Sequence, residues 1–255
     1  MTSTQDICLL CGEALKLLDK LPLKVDMVLC DMPYGITNAK WDKALDLTIV
    51  WEKLDKVVKD NGAIVLFGSD PFSTKLKMSN LKYYKYDWIW VKGFYTNHLN
   101  AYKQPLRQTE NISVFYKKQC LYRPQRSFRG KRKQSSKVCT EKDRLGALYK
   151  PIHTTVPLKT ELTFPDNLLY FSKECNSNFP TEKSVHLLEY LIRTYTLENE
   201  IVLDFTMGSG STGVACINTN RKFIGIEIDE GTFNMAKRRI QSNIFANIKR
   251  VGTVG

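Results

Sequence analysis

The sequence predicts an α/β fold: a mainly parallel sheet covered by helices on both faces, with an antiparallel hairpin toward one edge and a basic insertion. Three observations predict it. Short apolar runs bounded by turn signals alternate with stretches of helical periodicity over most of the chain. Two β-prone runs, Tyr84 to Val91 and Ile112 to Tyr116, fit strands near a sheet edge. The stretch from Lys117 to about Thr163 loses all periodicity and is punctuated by Pro124, Gly130, Pro151 and Pro157, which marks an inserted lobe and not part of the sheet.

Taken in order, Ile7 to Leu10 is a first strand. Ala14, Leu15, Leu17 and Leu18 have helical spacing that Pro22 ends. Val25 to Cys30 is a short apolar run and reads as a buried strand. Leu47, Val50, Trp51, Leu54, Val57 and Val58 line one helix face, with Asn61-Gly62 as its expected stop. Ala63 to Phe67 is a second buried strand. After the insertion, Val185, Leu188, Leu191, Ile192 and Tyr195 mark a helix, Ile201 to Leu203 a strand, Ser211 to Asn218 a helix, and Phe223 to Ile228 a strand. Phe233, Ala236 and Ile240 give a closing helix. No internal repeat is visible. The domain reading is a catalytic and cofactor domain over residues 1–116 and 165–255, interrupted by a basic recognition insertion over 117–164.

The chain has 255 residues and 43% hydrophobic content, enough for one large core. No apolar stretch approaches the ~20 residues that span a bilayer. The first residues lack a signal-peptide pattern and the cysteine count is seven, so a reducing cytoplasm is expected. Net charge is +12, and Lys117 to Lys150 holds twelve Lys or Arg against Glu141 and Asp143, so that block supplies +10 of it. Charge concentrated at one place implies a polyanionic partner met there.

Asp31-Met32-Pro33-Tyr34 follows the strand 25–30 directly. In an open α/β sheet, ligands bind just outside the carboxyl ends of strands. A carboxylate acceptor and a stacking ring at that point suit a planar base carrying an amino group. The second motif is Asp204-Phe205-Thr206-Met207-Gly208-Ser209-Gly210-Ser211-Thr212-Gly213, between a strand and a helix. Gly208 and Gly210 are expected to let backbone approach a ligand. Ser211 and Thr212 open a helix whose free N–H groups suit a carboxylate or phosphate. Glu227 ends the next strand, where an acid accepts from both hydroxyls of a ribose. The spacing does read G-x-G-x-x-G, but Asp204 at the strand end and the Asp31 motif elsewhere favour an adenosine with an amino-acid tail over a dinucleotide. Asp204 would hold the tail's ammonium. That ligand is S-adenosylmethionine.

These motifs resemble those of the DNA amino-methyltransferases. The catalytic turn comes before the cofactor turn with a basic insert between them, which is the order of the circularly permuted β group of adenine-N6 and cytosine-N4 enzymes. Asp31 to Thr37, Lys40-Trp41-Asp42, Leu99-Asn100-Ala101, Pro105-Leu106-Arg107 and Glu110 to Lys117 resemble a phage and prophage subgroup. Pro180-Thr181-Glu182-Lys183 resembles the family's third cofactor-contacting motif. Met32, Phe179 and Ser184 depart from the residues usual at their positions. The resemblance implies a Rossmann-like S-adenosylmethionine-dependent methyltransferase fold acting on double-stranded DNA, without a metal, alone or with a restriction partner, in the cytoplasm of a prokaryote or a phage-infected host. Homodimers occur in the group.

Asp31, Pro33 and Tyr34 are therefore the expected catalytic residues. Cofactor contacts are expected from Asp31, Thr181, Lys183, Asp204, Phe205, Thr206, Gly208, Gly210, Ser211, Thr212 and Glu227. Asp31 would accept one N–H of the target amino group, a backbone carbonyl at Met32 or Pro33 the other, and Tyr34 would stack on the base. A base in a duplex must be flipped out to reach them. Contacts to DNA are expected from Lys92, Arg107, Arg123, Arg126, Arg129, Lys131, Arg132 and Lys133, with Tyr122 and Phe128 interleaved to wedge the groove. The opening aspartate favours adenine, since cytosine-N4 enzymes of this family commonly open with serine; cytosine-N4 is the alternative. RNA or protein amide methylation and non-catalytic DNA binding are disfavoured by the motif order and the intact Asp31 turn. Cys8 and Cys11 form a lone C-x-x-C without a second pair, so they are expected to end a buried strand instead of binding metal. His98, close to Asn97 and Asn100, lies in a loop and is a candidate to border the target base.

Overall fold

The computed structural model describes residues 6–35, 44–128, 162–172 and 182–252. The chain divides into two compact units, Met1–Arg123 with Asp166–Gly255, and Pro124–Pro165. In the first unit the elements run β1 (Ile7–Cys11), α1 (Ala14–Leu18), β2 (Val25–Cys30), α2 (Leu47–Val57), β3 (Val58–Gly68), α3 (Phe72–Ser79), β4 (Tyr84–Thr96) and β5 (Arg107–Phe115). In the second unit β6 (Ser127–Phe128) pairs antiparallel with β7 (Leu162–Thr163). The first unit resumes with β8 (Leu168–Tyr170), α4 (Val185–Tyr195), β9 (Ile201–Asp204), α5 (Ser211–Asn218), β10 (Lys222–Glu227) and α6 (Glu230–Gly252).

One eight-stranded sheet has the order β1-β10-β9-β2-β3-β5-β4-β8. Its first five strands are parallel; β5 pairs antiparallel with β3 and β4, and β8 pairs parallel with β4. The β4–β5 hairpin thus lies near the edge, with the short β8 outside it. From Met27 onward alternate residues of β2 feed two cores, and Val25, across the register shift, joins the second. Met27 and Leu29 pack with Leu188, Leu191 and Ile192 of α4, Ala215 of α5 and Ile240 of α6. Val25, Val28 and Cys30 pack with Leu18, Val50, Leu54 and Leu76 of α1, α2 and α3. Each fully buried Leu, Ile or Val stabilises this three-layer arrangement by about 1.5–3 kcal/mol. Trp88 and Trp90 are core residues, their indole N–H groups donating to the Tyr195 hydroxyl at 2.6 Å and the Phe171 carbonyl at 2.8 Å.

Three sequence expectations are corrected and one helix is added. The helix expected to stop at Asn61-Gly62 ends at Val57, and those two residues lie in the irregular start of β3, where the register against β2 shifts between Val25 and Met27. Cys8 and Cys11 are exposed, because β1 is the outer strand of the sheet. The helix α1 ends at Leu18, four residues before Pro22. The helix α3 was not anticipated. It has few apolar residues and is started by Asp70, whose carboxylate accepts from the Thr74 N–H at 3.2 Å, the Thr74 hydroxyl at 2.8 Å and the Ser73 hydroxyl.

The topology fixes where chemistry can sit. From β9 the chain crosses through α5 to β10 on one side; from β2 it crosses through α2 to β3 on the other. Strands β9 and β2 are neighbours, paired Met27 to Val202 and Val28 to Leu203. The crevice outside their carboxyl ends is the switch point of the sheet, and Asp31 and Asp204 stand at those two ends.

Candidate active site

Strand pairing brings the two motifs into contact. The Thr206 hydroxyl donates to the Asp31 carbonyl at 3.0 Å and lies 2.9 Å from Cys30 Sγ. The Asp31 turn is thereby tied to the glycine-rich turn, 175 residues away in sequence.

Asp31 belongs to a cluster of opposite charges. Its Oδ2 lies 2.6 Å from Lys183 Nζ, and Lys183 also reaches Glu110 Oε1 at 2.9 Å. The Tyr34 hydroxyl is 2.7 Å from Asp31 Oδ1 and 3.2 Å from Glu110 Oε1. Lys92 pairs with the other oxygen of Glu110 at 3.2 Å. Burial raises the Asp31 carboxyl, Lys183 opposes that and Glu110 adds to it, for a net rise. Burial also acts to raise Glu110, but Lys183 and Lys92 more than reverse it and leave that carboxyl lowered. Lys183 is held as a cation: burial acts against its charge, and Asp31 and Glu110 overcome it. The cluster is electrically balanced, and the Asp31 side chain is still 31% exposed, so its remaining lone pairs face open space.

Tyr34 has one ring face taken. Phe72, from the start of α3, stacks on it with centroids 4.7 Å apart and planes 24° apart. Met32 is buried in the core below, at 2% exposure. Pro33 is half-buried.

In the glycine-rich turn, the Asp204 carboxylate points inward. It accepts from the Thr212 hydroxyl at 2.6 Å and the Thr206 N–H at 3.2 Å, and burial pushes it up to about 7. It braces the turn; it does not present a free acceptor as expected. Phe205, at 1% exposure, is a core residue. Gly208 has φ +49°, and a Cβ there would meet nothing within 4 Å, so it does face open space. Its N–H donates to Glu227 Oε2 at 3.0 Å, while Glu227 Oε1 accepts from the Asp229 N–H at 2.9 Å. Gly210 (φ +78°) is different from the expectation: a Cβ there would press on Ile240 and Ala236 at 3.0–3.3 Å, so this glycine allows α6 to pack and not a ligand to approach. Ser211 opens α5 and its hydroxyl donates to Glu182 Oε1 at 2.9 Å. Arg239 of α6 pairs with Glu182 and donates to the Ser209 and Ser211 hydroxyls at 3.2 and 3.1 Å. A carboxylate does sit at this helix start, and it is the protein's own. Among the described residues, the buried Ser184 hydroxyl beside Lys183 has no hydrogen-bond partner.

The expected DNA contacts are scattered. Lys92 is 8% exposed and bound to Glu110, so it belongs to the acid–base cluster and cannot reach a phosphate. Arg107 opens β5. The Arg123 N–H donates to the Thr194 carbonyl at 2.8 Å. Tyr122 leans on Tyr195, ring centroids 6.3 Å apart. In the second unit, the Arg126 guanidinium lies 4.2 Å from the Phe164 ring centre. Thr181, Arg129, Lys131, Arg132 and Lys133 lie outside the described residues, as does the Phe128 side chain. Sequence reasoning missed Glu110, Phe72, Glu182 and Arg239 as site residues. Glu110 had a signal: a lone acid heading an otherwise apolar strand is buried only with partners. Phe72 had none.

A family model described as DNA methylase, of the N6/N4 type, matches residues 25–238. The chain belongs to the N6/N4 DNA methylase family. This methylase is 27% identical over 250 residues to the type II methyltransferase M.HpaI of Haemophilus parainfluenzae, covering 92% of this chain and 74% of that one. It is 28% identical over 244 residues to the DNA adenine methyltransferase YhdJ of Escherichia coli K12, covering 90% of this chain and 81% of that one. Among solved structures, the M1.HpyAVI–SAM complex superposes with a TM-score of 0.63 at 27% identity, over 92% of this chain and 98% of that one. No helix among the described residues is long and apolar enough to cross a membrane.

Proposed function

We propose that this DNA methylase transfers a methyl group from S-adenosylmethionine to the N6 amino group of an adenine turned out of duplex DNA. The observation that carries the reading is the balanced cluster of Asp31, Tyr34, Glu110, Lys92 and Lys183, set at the sheet's switch point beside the glycine-rich turn. The adenine assignment rests on the aspartate that opens the catalytic turn and on the likeness to YhdJ, itself named a DNA adenine methyltransferase.

The residues fit the cofactor. Open space over Gly208 admits a ligand against the backbone, and Glu227 is placed to exchange its backbone partners for ribose hydroxyls. Ser211 at the start of α5, with Glu182 and Arg239 bound beside it, would orient the amino-acid tail. Phe205 and Thr206, directly after β9, support this wall. When bound, the cofactor supplies an electrophilic methyl group.

An exocyclic amino nitrogen is a weak nucleophile because its lone pair is shared with the ring. Asp31, accepting one of its N–H groups, draws the nitrogen toward tetrahedral geometry and stabilises the positive charge that develops there. Lys183 and the Tyr34 hydroxyl fix the orientation of that carboxylate in advance. The backbone carbonyl at Met32 or Pro33 takes the second N–H. Tyr34, backed by Phe72, offers its other face to the base. The methylated nitrogen then sheds one proton, and the raised Asp31 carboxylate is the acceptor within reach. The second unit, with the basic block around it, is assigned to holding the duplex.

Expression in a host without DNA methylation, followed by modification-sensitive sequencing, tests the reading. N6-methyladenine at one short motif is expected. N4-methylcytosine would transfer the assignment to cytosine, and unmodified DNA alongside folded protein that binds S-adenosylmethionine would reject DNA methylation.

A further inference from the structure

The hairpin of β4 and β5 does not stop at the site. Gly68, the last residue of β3, pairs with Asn111, and Glu110 in the charge cluster is the next residue outward. The hairpin continues past the carboxyl edge of the sheet: Glu110 pairs with Trp90, Thr109 with Val91 and Arg107 with Thr96. At the usual rise per residue, Arg107 stands about 10 Å beyond Glu110, and the loop 97–106 begins there.

That loop is built and closed by its own bonds. The Thr96 hydroxyl donates to the Arg107 carbonyl at 3.0 Å across its base. Asn97 takes a left-handed conformation, and its side-chain oxygen accepts from Asn100 Nδ2 at 2.8 Å. His98–Asn100 forms a single 3₁₀ turn, and the Lys103 and Gln104 N–H groups both donate to the Asn100 carbonyl, at 2.9 and 3.0 Å. None of this hides its large apolar side chains. Leu99 and Tyr102 are 100% and 105% exposed, and Tyr95, Phe94 and Leu106 are exposed below them. An ordered loop that holds two large apolar side chains fully in water gains no stability from them, so the exposure calls for a partner. The charge around them identifies its class: residues 88–109 contain Lys92, His98, Lys103 and Arg107 and no Asp or Glu.

We propose that Leu99 and Tyr102, at the tip of this arm, enter duplex DNA and occupy the space vacated by the target base, with Lys103 and Arg107 against the flanking phosphates. The inference rests on the DNA-methyltransferase reading above. It places the wedge on the arm that grows out of the catalytic cluster through Glu110, so the side chains that hold the duplex open share one strand pair with the carboxylate that braces Asp31 through Lys183 and Tyr34. Apolar side chains inserted at a base step serve this purpose in other DNA-deforming proteins.

The test uses the full-length protein and two oligonucleotide duplexes carrying the methylated motif of the wild type. In one the target base is paired; in the other it faces an abasic site and needs little help to leave the helix. The double substitution Leu99→Ala with Tyr102→Ala is expected to slow single-turnover methylation of the paired duplex by about 10–100-fold, because extrusion loses a stabilising contact. The abasic-opposed duplex should be methylated at the wild-type rate, Tyr102→Phe should retain activity on both, and cofactor affinity should not change. Unaltered methylation of the paired duplex by the double variant would overturn the proposal. Equal losses on both duplexes would do so too, as would conversion of a wild-type dimer to a monomer, which would make a second copy of this chain the occupant. A wild type that methylates no DNA would instead overturn the reading beneath it.

Discussion

Replacing Lys183 by methionine removes the cation that touches both Asp31 and Glu110, at 2.6 and 2.9 Å. Lys183 and Glu110 are 13% and 7% exposed as side chains, so the carboxylates left behind are poorly hydrated. Removing one partner of a buried pair costs about 3–5 kcal/mol; with Asp31 partly open to solvent, the lower end, about 3 kcal/mol, is expected here. The cluster of two acids and two lysines goes from neutral to a net single negative charge. Adding Glu110→Gln restores neutrality, with Asp31 and Lys92 remaining. The double variant is expected to be more stable than the sum of the two single losses by about 1–3 kcal/mol. The loss in Lys183→Met also depends on pH. An uncompensated buried carboxylate has a folded-state pKa above its unfolded value, so the penalty is complete at high pH and shrinks as pH falls through the raised pKa. Urea unfolding of wild type, both single variants and the double variant at pH 8 and pH 5.5 reads all of these quantities. A loss in Lys183→Met that is the same at both pH values, or a double variant that loses the full sum, would refute the electrostatic account of the cluster.

Asp204, raised from 3.8 to about 7, holds a proton in the folded state that the unfolded chain gives up, so stability falls as pH rises across that window by as much as about 4 kcal/mol. Asp204→Asn should flatten this pH dependence in thermal unfolding; an unchanged slope would show that Asp204 is ionised when buried. Gly208→Ala should lower affinity for S-adenosylmethionine by calorimetry with about 1 kcal/mol of stability lost to its left-handed backbone, whereas Gly210→Ala, pressed on Ile240 and Ala236, should lose stability first. Affinity for the cognate duplex should fall steeply with salt, with a log–log slope of about −5 for about six phosphate contacts, and a flat response would contradict a phosphate-gripping basic block.

How much of this was legible in the sequence depended on whether the signal was local. The two turns at Asp31 and Asp204 stand at strand ends because apolar runs stop there, and a run of six residues is readable without any partner. Their contact is also implied once β9 and β2 are neighbours. The direction of each side chain was not legible. Asp204 turns inward because Thr212 and Thr206 offer it donors 2–8 residues away in a tight turn, and Gly210 serves α6 because that helix returns 30 residues later to pack over it. Lys92 reads as a strand-end lysine until the antiparallel register sets it beside Glu110. Phe72 lies on a helix with too few apolar residues to show periodicity, so its stacking on Tyr34 could come only from the folded chain.

The central claim is that Asp31 acts on the amino group of the target base. Single-turnover transfer of labelled methyl to the wild-type motif, measured for wild type and Asp31→Ala with cofactor affinity measured alongside, tests it most directly. The account predicts that Asp31→Ala binds S-adenosylmethionine measurably and transfers no methyl group. Transfer by Asp31→Ala at the wild-type rate would contradict it.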